Sequence, residues 1–224
     1  MTRSERTNLD IQDLLRSRHS LLWVVTREET RVERALIEAA AAAAYDVHLW
    51  DCVAGEQDAA GQIIDAGRAD LGAMLQGVRD TETRTVYILR DAHAPEHLHV
   101  FNRRALRSLA RHLEAAPRNQ ARAVIVLSPS GDIPLELQTC TTVIDYPLPE
   151  RSEINRALDD VIAALPPDIG QAVATNGTRE KAVDAALGLT IQEASNCYAR
   201  SLVTTNREHA RPDIDPAIVS AEKK

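Results

Sequence analysis

Five short apolar runs punctuate the chain, each bounded by polar residues and separated by stretches whose apolar positions recur every three or four residues. The first run, Leu21 to Val25, reads LLWVV and is apolar throughout, as a strand covered on both faces should be. Further strands are predicted at Val47 to Cys52, Thr85 to Leu89, Ala123 to Leu127 and Thr142 to Tyr146. Between them the spacing predicts helices. One opens with a Thr26 and Glu29 capping box and runs to about Ala44. Another covers Ala69 to Arg79 and turns Leu71, Leu75 and Val78 to the sheet. A third, Leu98 to Ala115, is expected to bury Phe101, Leu106, Leu109 and Leu113, and a fourth, Glu150 to Leu165, carries Ile154, Leu158, Val161 and Ile162. This alternation predicts an α/β fold: a five-stranded, mostly parallel sheet with flanking helices. Val53 to Arg68 is polar and irregular, and reads as a surface excursion with a short helix.

Pro166 and Pro167 form the expected domain boundary, because neither continues a helix ladder. The division is therefore an α/β domain over residues 1–165 and a small helical domain over 166–224. In the second, Arg179 to Leu187 is ended by Gly188, and Ile191 to about Val203 follows a Thr190 and Glu193 capping box. A last helix starts at Pro216 behind Asp215 and is expected to be helical still at the closing AEKK, which suggests that the native chain runs on.

Composition changes this picture mainly by exclusion. With 44% hydrophobic and 26% charged residues the chain has material for a sizeable core and a wet surface. A net charge of −7 gives the molecule as a whole no electrostatic reason to seek nucleic acid or an anionic membrane. Only 3% of residues are aromatic, too few for a base-stacking surface. Cys52, Cys140 and Cys197 match no zinc spacing or secretory framework and read as reduced, mostly buried thiols. The polar opening MTRSERTNLDIQDLLRSR has no apolar signal core, and Ala39 to Ala44 is far shorter than a membrane span, so a cytoplasmic location is expected.

Candidate chemistry lies at the strand ends. In nucleotide-hydrolysing α/β proteins the turn after the first strand is glycine-rich, so that backbone N–H groups converge on phosphate, and a lysine follows. Here that turn, Thr26 to Glu33, reads TREETRVE, with neither glycine nor lysine. Glu28 and Glu29 are expected to take the helix-terminal position that a phosphate would need. Asp91 follows the third strand where a magnesium-holding acid would stand, but the next residue is Ala92 rather than a base. Asp91 reads either as a cap or arginine partner, or as the edge of a pocket. Ser128, after the fourth strand, is either a turn cap or a γ-phosphate-sensing residue. His93, His97 and His99 crowd near Asp91 without a metal-site spacing, and solvated or capping roles are favoured. Arg103, Arg107 and Arg111 share a helix face with Arg104 and His112 beside them and no acid among them, making either a solvated face or an interface.

Taken together, LLWVVTREETRVERAL, VYILRDAH, AVIVLSPSGDIPLELQ, VIDYPLPERSEI and ALGLTIQEASNCYARSL resemble the N-terminal half of AAA-type ATPases known from cyanobacterial and chloroplast conserved reading frames. The resemblance implies a P-loop-NTPase-like fold whose first module is degenerate, with an intact AAA module following after Lys224. It implies Asp91 and Ser128 as remnant nucleotide-binding positions, no catalytic or metal-ligating residue in this chain, and a helical lid over Gly188 to Leu202. ATP and Mg²⁺ would belong to the downstream module alone. Partners would be an active AAA module in the same chain or neighbouring subunits, homo-oligomers included, with Arg103, Arg104, Arg107 and Arg111 as interface candidates. The leading expectation is a non-catalytic regulatory or assembly module. Two alternatives stay open: an atypical nucleotide binder or weak ATPase using the α/β crevice, and a free-standing protein-binding adaptor.

Overall fold

A computed structural model describes residues 1–174, 177–209 and 211–221. Contacts divide the chain into an α/β unit, residues 5–146, and a helical unit made of residues 1–4 and 147–224. The α/β unit is built on β1 (Leu21–Val25), β2 (Asp46–Asp51), β3 (Gly55–Asp58), β4 (Ile63–Asp65), β5 (Thr85–Arg90), β6 (Arg122–Ser128) and β7 (Thr142–Asp145). Their spatial order is β4-β3-β2-β5-β6-β1-β7. The five predicted strands are the parallel ones, in registers such as Leu21 against Val124, Trp23 against Val143 and Val86 against Ala123.

The sheet nevertheless has seven strands rather than five. β3 and β4 pair antiparallel at the β2 edge, inside the stretch expected to be irregular. Gly-Glu-Gln-Asp has no apolar residue, yet Glu56 and Gln57 are buried because partners satisfy them. His48 Nδ1 lies 2.6 Å from Glu56 Oε1, and Arg68 pairs with the other carboxylate oxygen. Gly55 has φ +77°, and a Cβ there would come within 2.5 Å of the Asp65 carbonyl, so the hairpin requires glycine.

Helices cover both faces of the sheet. On one, Ile11 and Leu15 of α1 (Arg3–Arg16) and Val32 and Leu36 of α2 (Glu29–Ala42) join Leu22, Val24, Val86 and Ile88. On the other, Met74 and Val78 of α3 (Leu71–Asp80), Leu106 and Leu109 of α4 (Val100–Glu114) and Leu137 of α5 (Leu135–Gln138) pack on Trp23, Tyr87 and Val126. Alternate residues of each strand therefore feed opposite cores. Phe101 is not buried as expected but 78% exposed. It stands five positions before Leu106, roughly 80° to 140° around the helix from the stripe through Asn102, Leu106, Leu109 and Leu113. Of the three thiols only Cys197 is buried; Cys140 is intermediate and Cys52 exposed.

The helical unit holds α6 (Arg151–Ala163), α7 (Pro167–Ala174), α8 (Arg179–Ala186), α9 (Ile191–His209) and α10 (Pro216–Ala221). Ile154 and Leu158 of α6 pack with Val183, Ala194, Tyr198 and Val219. The domain boundary accordingly falls between Tyr146 and Pro147, not at the proline pair. Pro167 opens α7, where a missing N–H costs nothing, and the Pro166 carbonyl accepts from Gly170 N at 2.9 Å. Thr190 and Glu193 form both bonds of the expected capping box, at 2.8 and 3.1 Å, and α9 continues beyond Val203. Asp215 caps α10 by accepting from Ala217 N, whereas Glu222 to Lys224, expected to be helical, lie outside the described residues. No helix among the described residues is long and apolar enough to cross a membrane.

Candidate functional site

Ligands of parallel α/β sheets gather beyond the carboxyl ends of the strands. At that edge β1 passes into α2 through only three residues, Thr26, Arg27 and Glu28. Thr26 N donates to Ser128 O at 2.8 Å, which holds the link against β6. The expected Thr26 and Glu29 capping box is not formed. Because α2 starts at Glu29, the capping position is Glu28, and Thr26 Oγ1 instead accepts from Glu28 N at 3.0 Å. The third helical residue is then Arg31, whose Nε donates to the buried Glu28 carboxylate at 2.9 Å. Its guanidinium sits 5.2 Å from the Tyr146 ring centre.

Beside this link lies a network that the sequence did not announce. Arg90, the last residue of β5, donates Nε to Glu33 Oε2 at 2.5 Å and Nη2 to Glu33 Oε1 at 3.0 Å, a two-pronged pair with α2. Nη1 reaches Asp51 Oδ2 at 3.0 Å and Gln57 Oε1 at 3.3 Å, tying β5 to the ends of β2 and β3. Glu33 raises the Arg90 pKa above its already high ordinary value. Burial would raise Asp51, but bonds from Ala54 N, Gln57, Val53 N and Arg90 outweigh it and hold its carboxyl below the usual value. Exposed Glu29 is pushed the other way, first by desolvation and then by the Asp91 carboxylate. The signals were present as a strand ending in arginine, another ending in aspartate and a glutamate one turn into the next helix; what joins them is sheet order.

Asp91 occupies the predicted strand end, with φ +51°, a left-handed conformation that aspartate tolerates better than most residues. Its carboxylate is 65% exposed and 3.8 Å from His93 Nδ1. Ala92 is fully buried. Ser128 is buried with its hydroxyl in the following turn, donating to Ser130 O at 2.9 Å and accepting from Ser130 N at 3.0 Å. Asp91 and Ser128 thus close neighbouring strands, but each hydroxyl or carboxylate faces its own turn. The histidines do not converge: His97 packs edge-on to Trp50 and His99 to Phe101, and the described residues hold no metal-competent group of three.

The arginine stripe lies on α4. Arg103 reaches Glu136 of α5 at 3.5 Å. Arg104 and Arg111 are exposed and Arg107 half-buried.

With the geometry in place, comparison with known proteins is informative. A family model for the SpoVK-like AAA ATPase N-terminal domain matches residues 7–146, and the model for the second domain of the same ATPases matches 152–224. The chain is 27% identical over 197 residues to ycf46 of Guillardia theta, an AAA domain-containing protein, covering 87% of this chain and 37% of that protein. Identity is also 27% over 173 residues to ycf46 of Pyropia yezoensis, with 76% and 34% covered. The chain therefore spans about a third of the length of these relatives. Among solved structures it is similar to a point mutant of Thermotoga maritima RuvB, with TM-score 0.59, 10% identity and coverage of 98% of this chain and 67% of that one. A chain of an Escherichia coli HORMA, CdnC and Trip13 complex gives TM-score 0.56 at 12% identity, with 98% and 85% covered.

Proposed function

The chain belongs to the SpoVK-like AAA ATPase family, and from that membership we propose that it is a non-catalytic regulatory or assembly module of a longer AAA-type ATPase. The observation that carries this reading is the link between β1 and α2. A phosphate-binding loop needs glycines to open the backbone, a lysine to reach the β- and γ-phosphates and a hydroxyl to hold magnesium. Three residues without glycine or lysine supply too few converging N–H groups. A triphosphate does not fit here. The buried Glu28 carboxylate stands at the helix terminus, where two like unit charges 4 Å apart repel by ~4 kcal/mol at a near-surface dielectric before its pairing with Arg31 is counted. Arg31 offsets part of that repulsion, but its guanidinium is itself committed to Glu28 rather than open to a phosphate.

The remnant positions support the same reading. Asp91 has a buried methyl group, not a base, as its chain neighbour, and the Ser128 hydroxyl is engaged by Ser130. Arg90 is engaged by Glu33, Asp51 and Gln57 in place of a nucleotide. ATP and Mg²⁺ then belong to a separate active AAA module, in the same chain or in neighbouring subunits, and the helical unit from residue 147 onward serves as the lid-like part of this module. The site of action is the cytoplasm.

Removing residues 1–224 from the longer protein and measuring oligomer mass by sedimentation, together with ATP turnover, tests the proposal. A loss of assembly, or a turnover change of about fivefold or more, is expected for a coupled module. Unaltered mass and turnover would contradict it.

A further inference from the structure

The α/β unit carries a second surface feature, remote in kind from nucleotide chemistry: an elongated groove between α3 and α4. Its floor is apolar, with Leu75, Ala105 and Leu109, and its rim carries Arg79, Arg104 and His112, enclosing about 380 Å³. Arg79 and His112 also border a second recess of about 490 Å³ that continues to Pro117. The groove thus follows much of the 15-residue α4, a length of ~22 Å. A long, open, apolar-floored trough suits a chain segment better than a compact small molecule.

Its charge selects the chemistry of that segment. On its rim Arg79 and Arg104 form no ion pair among the described residues, whereas Arg103, outside the groove's lining, is matched by Glu136. Four arginines on one 15-residue helix against the single acid Glu114 stand out on a chain of net charge −7. Phe101 rises at one end of the trough, 78% exposed. An exposed aromatic ring beside unmatched guanidinium groups is costly as a bare surface and useful as an anchor site. Asp80 and Glu82 border only the second recess, so the rim of the groove itself carries no carboxylate.

We propose that this groove docks an acidic amphipathic segment of a protein partner, with apolar side chains against Phe101 and Ala105 and carboxylates on Arg79 and Arg104. Nucleic acid would leave the apolar floor unused. The proposal names the contact through which the assembly role above would act, and so rests on that reading. Its primary readout is peptide affinity, not nucleotide turnover or the effect of removing the module, so the two can fail separately.

The probe is a fluorescein-labelled synthetic helix with Leu and Phe four residues apart flanked by glutamates, titrated into the full chain by anisotropy. Its controls replace every glutamate by lysine, or both apolar anchors by serine. The acidic anchored peptide should bind about tenfold or more tightly than either control, and more weakly as salt is raised. The double variant Arg79→Glu, Arg104→Glu should lose about tenfold in affinity, and Phe101→Ser several-fold, with circular dichroism and melting unchanged. Absent binding, equal binding of the lysine peptide, or full affinity in the double variant would overturn the proposal. So would a change in the double variant's sedimenting mass, which would make a second copy of this chain the occupant, or displacement of the peptide by a DNA oligonucleotide at equal charge.

Discussion

At the carboxyl edge of the sheet, Arg90 commits its guanidinium to Glu33, Asp51 and Gln57, whereas on α4 Arg104, Arg107 and Arg111 meet no carboxylate among the described residues. The residue type is the same and the surroundings are opposite. In the first region two strands and a helix deliver partners to one cation on a third strand. In the second, one helix lines up cations faster than its neighbours can match them. Internally closed charge holds a fold together, and open charge is available for recognition.

The contrast breaks first at Arg90. Arg90→Met leaves Glu33 and Asp51 facing each other, half-buried, and should cost about 3 kcal/mol in urea unfolding, the range for removing one member of a largely desolvated pair. A loss below ~1 kcal/mol would reduce the network to an ordinary surface pair. On α4 the same kind of change should barely register in stability. Arg107→Glu is expected to stay within ~0.5 kcal/mol of the parent, because no ion pair is lost among the described residues. A larger loss would mean that the stripe is structural.

The smallest effect sharpens the comparison through pH. Asp51 has its pKa lowered in the fold, so its contribution is full above the ordinary value of 3.8 and is lost as pH falls through the lower folded value. Glu29 has its pKa raised, so its charge is unfavourable at neutral pH, and that cost fades as pH falls through the raised value toward 4.5. Melting temperatures across acid pH should therefore hold or rise slightly before they drop. Glu29→Gln should remove the rise and stabilise the neutral protein by no more than ~0.5 kcal/mol, since the group is exposed. Asp51→Asn should flatten the drop. Curves identical to the parent's in both variants would contradict these environments.

β1, β5 and β6 were legible because burial on both faces gives them continuous apolar runs, as in LLWVV and VYIL, while β2 and β7 were marked by shorter apolar cores bounded by polar residues. The β3 and β4 hairpin was not, because Glu56 and Gln57 are buried through partners on β2 and near Arg68 that no local pattern reveals. The polar opening hid α1, whose two fully buried positions, Ile11 and Leu15, are one turn apart among charged residues. Thr26 and Glu29 matched a capping pattern, yet the helix began two residues later than that pattern requires, so local chemistry named the right turn and the wrong bond. At the sheet edge, Asp91 and Ser128 were readable as strand-end residues, while the Arg90 network depends on β2, β3, β5 and α2 becoming neighbours.

The most direct measurement is calorimetric titration of the chain with ATP and Mg²⁺. If the proposed non-catalytic reading holds, no binding heat is expected at millimolar nucleotide, in the parent and in Asp91→Ala alike. Micromolar binding that disappears in Asp91→Ala would contradict it and identify the strand-end acid as part of a working nucleotide site.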